Sequence, residues 1–134
     1  MTPGASEADF IRKLDSFGDV YSGIKLNFKK SSSPAAFVIS IEGSLDSNNS
    51  DAFRKLVLEG LGLAKNEGGL ILNLAGLRYA SSTGLGSFTA ILSEARRYQV
   101  PFFLYRVQPS VRSVLDLLGF TSFFDCINGF EALP

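Results

Sequence analysis

Two early stretches of the chain alternate between apolar and polar residues. Ile24, Leu26 and Phe28 alternate with Lys25, Asn27 and Lys29, and Phe37, Ile39 and Ile41 alternate with Val38, Ser40 and Glu42. A period of two is that of a strand with one face in the core. Ser31, Ser32, Ser33 and Pro34 read as the turn between them, and so short a link predicts an antiparallel pair. After Gly43 the period changes to that of a helix, with Phe53, Leu56, Val57, Leu61 and Ala64 on one face. Ser47 to Ser50 supply N-cap candidates, and Asp51 suits the positive end of the helix dipole. Leu70 to Leu74, broken only by Asn73, reads as a strand covered on both faces. A second helical face carries Leu85, Phe88, Ile91, Leu92 and Ala95, with Arg96 and Arg97 in the last turn and Pro101 beyond it. Phe102 to Tyr105 is the next buried strand. Pro109 opens a third helix through Val111, Val114, Leu115 and Leu118, with Gly119 as its C-cap. Phe123 to Ile127 reads as a short last strand, and Phe130 to Leu133 as a terminal turn of helix.

The order β-β-α-β-α-β-α implies right-handed crossovers. It predicts an α/β fold with a mixed four- to five-stranded sheet and helices mainly on one face. Residues 1–19 precede this pattern. Phe10, Ile11, Leu14 and Phe17 lie at helical spacing, so the segment reads as an N-terminal extension forming a short amphipathic helix that ends at Gly18. It can pack on the domain or on a partner; residues 20–134 are expected to fold without it.

Composition narrows the chemistry. The chain has 134 residues, 46% hydrophobic and 19% charged, which suits one globular domain. Lys+Arg and Asp+Glu both number 13, so the basic excess of a general nucleic-acid binder is missing. There is no His, which removes His-dependent triads, His-rich metal sites and phosphohistidine relays. The one cysteine, Cys126, sits among Phe123, Phe124 and Ile127 and reads as core. No intrachain disulfide or Cys-based zinc site can form, and no cofactor or metal is expected. With no nucleophile–base pair visible, an enzyme is the least expected class. Thiol usage, the lack of a signal pattern and the short apolar runs lead to a cytoplasmic protein with no membrane segment.

Two loops could carry function. Ser81-Ser82-Thr83-Gly84-Leu85-Gly86 lies between a buried strand and a helix, at a strand carboxyl end where α/β proteins place functional groups. It serves as a helix cap with two glycines, or as a phosphorylation site whose charge the helix start would tolerate. Gly43-Ser44-Leu45-Asp46-Ser47-Asn48-Asn49 is an Asx turn with a cap, or a polar rim that recognises a partner. Gly60-Leu61-Gly62 sits inside a helical pattern and reads as a close helix–sheet contact, not a nucleotide loop. Lys29-Lys30 and Arg96-Arg97 read as solvated faces.

Element order, Gly43-Ser44-Leu45-Asp46 and Tyr79-Ala80-Ser81-Ser82-Thr83-Gly84-Leu85-Gly86 together resemble the STAS domain, the family named for sulfate transporters and anti-sigma factor antagonists. The resemblance covers roughly residues 20–133, and the single-domain form resembles the bacterial anti-sigma factor antagonists. It implies phosphorylation of Ser82, with Thr83 and then Ser81 as fallback acceptors. Ser81 stands where these antagonists usually carry Asp. It also implies a partner-binding surface of Asp46, Ser47, Asn48, Ser81, Thr83 and Gly84. The implied partner is an anti-sigma factor that is also a Ser/Thr kinase, exchanged by partner switching in transcription regulation. The alternatives are a non-phosphorylated STAS scaffold or subunit of a larger complex, and a small-ligand-binding module. The sequence leaves the oligomeric state open.

Overall fold

A computed structural model describes residues 3–32 and 35–128. Helix α1 spans Pro3–Val20, strand β1 Ile24–Ser32 and strand β2 Ala35–Leu45. Helix α2 (Ser50–Ala64), strand β3 (Leu70–Ala80), helix α3 (Ser82–Arg97), strand β4 (Phe102–Tyr105) and helix α4 (Pro109–Leu118) follow. A 3-10 turn at Thr121–Phe123 leads to strand β5 (Asp125–Ile127). The mixed α/β fold and the element order agree with the sequence pattern. The boundaries differ: α1 runs past Gly18 to Val20, Ser31 and Ser32 still belong to β1, β2 continues past Gly43 to Leu45, β3 continues to Ala80, and the last strand begins at Asp125, with Phe123 in the 3-10 turn. Asn49, one of the cap candidates, takes the N-cap position of α2 without a side-chain cap bond. Ser33, Pro34 and the proposed helical turn at Phe130 to Leu133 lie outside the described residues.

The five strands lie side by side in chain order, β1-β2-β3-β4-β5. β1 and β2 are antiparallel; β2, β3, β4 and β5 are parallel. Repeated right-handed crossovers moving in one direction place the connecting helices on one face. One core cluster joins side chains of all four helices to Leu26, Phe37, Ile39, Leu72 and Leu104 from that face of the sheet. The opposite face carries a small cluster of Ala36, Val38 and Ile71, with Phe103 and Tyr105 packed against it.

The helix α1 docks on β1 and α2, a question its sequence leaves open. Phe10 and Leu14 are fully buried in the common core, and the Phe10 ring meets Phe28 edge-on at 5.9 Å between centroids. Gly60 lies under Phe10: a β-carbon at position 60 would overlap the ring. Gly60 of the Gly60-Leu61-Gly62 motif therefore serves a helix–helix contact, not the helix–sheet contact expected, and Gly62 meets open space. Its reason is local, since the α2 face bearing Gly60 turns toward α1.

The register of β2 on β3 brings two loops to one edge of the sheet. Pairing runs from Phe37 opposite Leu70 to Leu45 opposite Ala80, with irregularities between Ser40 and Glu42 and between Gly43 and Ser44. The two strands thus end level, and the loops that begin at Asp46 and Ser81 leave from one edge of the sheet.

Candidate functional site

The first loop is held by a buried amide. Asn49 Oδ1 accepts the Asp46 backbone N–H at 2.9 Å, and Asn49 Nδ2 donates to the Ser44 carbonyl at 3.0 Å. Asp46 Oδ1 accepts the Asn48 N–H at 2.9 Å, forming the Asx turn expected of this segment. Asn49 is buried, so these bonds are protected from water, and replacing it would orphan two backbone groups. The sequence places Asn49 in this segment as a cap candidate and part of a polar rim; that its amide holds the loop is visible only in the structure, its spacing of three from Asp46 and five from Ser44 being the available signal. Asp46 is half-buried, while Ser47 and Asn48 are exposed.

The second loop is bolted to the end of β2. The Ser81 N–H donates to the Leu45 carbonyl at 2.9 Å. Ser81 Oγ accepts the Gly84 N–H at 3.0 Å and so caps α3. Gly84 is buried: a β-carbon there would lie 2.5 Å from the Leu45 carbonyl oxygen. Its lack of a side chain permits the close approach of α3 to β2, and it lies beneath the surface that the resemblance assigned to partner contact. Below it, Ser87 Oγ donates to the Gly84 carbonyl at 2.5 Å, and Leu85, Phe88 and Leu92 anchor the helix in the core.

Ser82 and Thr83 stand exposed on the first turn of α3. Among the described residues neither hydroxyl has a hydrogen-bond partner. Of the three hydroxyls in a row, one is engaged in capping and two face solvent.

Three further features share this edge. Tyr79, one residue before the strand end, is 55% exposed, unusual for so large a ring. Ser110 Oγ donates to the Arg78 carbonyl at 3.0 Å, fixing the start of α4 beside it. A groove of about 250 Å³ between the first turns of α2 and α3 is lined by Ser50, Asp51, Arg54, Thr83, Gly86 and Ser87. Asp51 pairs with Arg54 at 2.7 Å and Lys55 at 3.2 Å, and these contacts, Arg54 first, hold its carboxyl below the ordinary value.

Among the described residues no three His, Cys, Asp or Glu side chains group as metal ligands, and no helix is long and apolar enough to cross a membrane. Cys126 is half-buried, and burial pushes its thiol above the ordinary value, which suits packing over reactivity.

The sequence profile of the STAS domain family matches residues 27–133. The chain belongs to the STAS domain family. It is 35% identical over 68 residues, 51% of this chain and 59% of the other, to the Bordetella bronchiseptica protein BtrV, provisionally named an anti-sigma factor antagonist. The chain thus spans less than two thirds of the length of that relative. An anti-sigma factor antagonist of Thermotoga maritima, also provisionally named, has the same fold at a TM-score of 0.65 and 20% identity, covering 79% of this chain and 88% of that one. The unphosphorylated form of the anti-sigma factor antagonist SpoIIAA superposes at a TM-score of 0.63 and 20% identity over 80% of this STAS chain and 91% of that protein. The Bacillus protein SpoIIAA has also been solved in its phosphorylated form, which superposes at 0.58 and 18% identity over 80% and 95% of the two chains.

Proposed function

We propose that this STAS protein is an anti-sigma factor antagonist acting by partner switching, with Ser82 as its phosphoacceptor. The observation that carries the reading is the division of labour along residues 81–83. Ser81 spends its hydroxyl on the Gly84 N–H, while Ser82 next to it is exposed and unbonded. The level ends of β2 and β3 bring Asp46, Ser47 and Asn48 to the same edge. The relative SpoIIAA, whose structure exists in phosphorylated and unphosphorylated forms, supports a modification of this kind.

In this reading the unmodified edge binds an anti-sigma factor with Ser/Thr kinase activity in the bacterial cytoplasm and frees a sigma factor. Phosphorylation adds about −1.5 to −2 charge and three acceptor oxygens to the contact surface, and the complex dissociates. The protein's own part is to present the hydroxyl and the rim; the chemistry belongs to the kinase.

The test is calorimetric binding to the cognate kinase, with phosphosite mapping after ATP is added. Ser82→Ala folds normally and binds constitutively, because Ser82 is not the residue capping the helix. Ser82→Asp also folds, since negative charge at a helix start is favourable, but binds at least about tenfold more weakly, about 1.4 kcal/mol. Equal affinities together with no phosphate on residues 81–83 would overturn the switch and leave a STAS scaffold or a ligand-binding module.

A further inference from the structure

We propose that Thr83 is a second phosphoacceptor and that Arg54 holds its phosphate across the groove between α2 and α3. This rests on the switch reading of the same edge. Thr83 is the one residue of the hydroxyl triplet that lines the groove, and Arg54 stands on the opposite wall. The side chain of Ser82, by contrast, is not part of the groove lining.

Arg54 is free to change partners. Its pair with Asp51 joins residues three apart on one helix and is open to solvent, the kind of pair that contributes little to stability. Asp51 keeps a second cation, Lys55 at 3.2 Å, so it is not stranded when Arg54 leaves. A phosphate carries more charge than a carboxylate and offers three oxygens to a planar, two-pronged guanidinium, so it outcompetes Asp51. Asp51 itself lines the groove and repels the incoming phosphate, and Lys55 offsets that repulsion. Ser50 and Ser87, both buried, also line the groove, with the Ser87 hydroxyl already committed to the Gly84 carbonyl.

The transfer step balances as an ordinary phosphoryl transfer from a nucleoside triphosphate held by the kinase. A bond forms between Thr83 Oγ1 and the γ-phosphorus, the bond from that phosphorus to the β-bridging oxygen breaks, and the diphosphate leaves. The hydroxyl proton passes to a base of the kinase. The consequence is reach. Arg54 lies on the first turns of α2, and that helix begins where the Ser50 N–H donates to the Asp46 carbonyl at 2.9 Å. A phosphate on Thr83 held by Arg54 thus ties the first turn of α3 to α2, a link that a phosphate on Ser82, outside the groove, does not make.

The experiment installs phosphothreonine at position 83, or phosphoserine at position 82, during synthesis and titrates each by ³¹P NMR. No kinase is needed. The second phosphate pKa of a free phosphoamino acid is about 6. At position 83 it is expected to fall by about half a unit or more, because the adjacent cation favours the dianion, and Arg54→Gln should restore it. Arg54→Lys should restore it in part, since the charge remains without the fork. A position-83 value unchanged by Arg54→Gln, in a protein whose circular dichroism shows it folded, overturns the clamp. Mapping after kinase treatment that finds phosphate on Ser82 alone overturns Thr83 as an acceptor. Phosphate on none of residues 81–83 is the separate failure of the switch reading.

Discussion

Ser81 and Ser82 are adjacent and chemically alike, and the backbone gives them different work. Ser81 has extended backbone and turns its oxygen back onto the Gly84 N–H; Ser82 is already helical and faces water. Gly84 makes this geometry available by letting α3 come against the end of β2. Gly84→Ala places a methyl group 2.5 Å from the Leu45 carbonyl oxygen, and backbone must move to accept it. The expected cost is about 1–3 kcal/mol, the usual range for overpacking a tight site, read as a lower urea midpoint with an unchanged slope. An unaltered midpoint would show that the loop yields freely. Sequence spacing was enough to find this loop and its capping potential. It did not show which hydroxyl caps, because three consecutive cap-competent residues have the same propensity and only the register of β2 on β3 chooses among them. It likewise did not reveal the role of Arg54, which depends on how two helices from separate crossovers lie beside one another.

At the scale of elements, the helices and strands were legible because their apolar spacing is regular. Phe53, Leu56, Val57, Leu61 and Ala64 all turn inward on α2, as their period requires. What periodicity could not supply was the partner of α1. An amphipathic helix advertises an apolar face without naming what covers it, and the answer lay at Gly60, a residue with no side chain to signal anything. Phe10→Ala is expected to destabilise by about 3–5 kcal/mol, the range for truncating a buried phenylalanine. Removing residues 1–19 takes away Leu14 and Phe17 as well, so the remaining domain should unfold cooperatively at a clearly lower denaturant concentration. An unchanged midpoint would mean that α1 merely rests on the surface; loss of any transition would make it indispensable.

For the whole molecule, charge has little influence on stability over a broad pH range. The sequence has no His, and apart from Cys126, whose thiol the fold keeps neutral to a higher pH than the unfolded chain does, the shifted groups titrate at the extremes. Hydrogen bonds from Lys13 and then Arg12 hold the Asp9 carboxyl below its ordinary value, and Arg54 and then Lys55 do the same for Asp51. Their stabilisation is present above the unfolded-state carboxyl pKa and is lost as pH falls through the depressed folded values. Glu59 and then Asp9 raise Lys13, and Glu7 raises Lys30. That contribution is present below the ordinary lysine pKa and is lost as pH rises through the raised values. All four groups are solvent-exposed, so each contribution is small and screened by salt. Thermal melts should give a flat plateau between about pH 5 and 8, with the Cys126 thiol adding to the fall above it and salt narrowing the lysine and carboxylate contributions at either end. A steep dependence inside that window would point to a titrating group that the fold conceals.

The chain-order arrangement of the sheet also bears on how the molecule comes into being. Each strand pairs with the one synthesised just before it, so a sheet emerging from the ribosome can grow by accretion, one crossover at a time. α1 is the exception. It meets β1 directly after its own synthesis, yet its second seat, at Gly60, does not exist until some forty residues later, roughly two to eight seconds at ordinary translation rates of about 5–20 residues per second. During that interval Phe10 and Leu14 have only β1 to rest on, so this side of the core closes in two steps, the strand first and α2 after it.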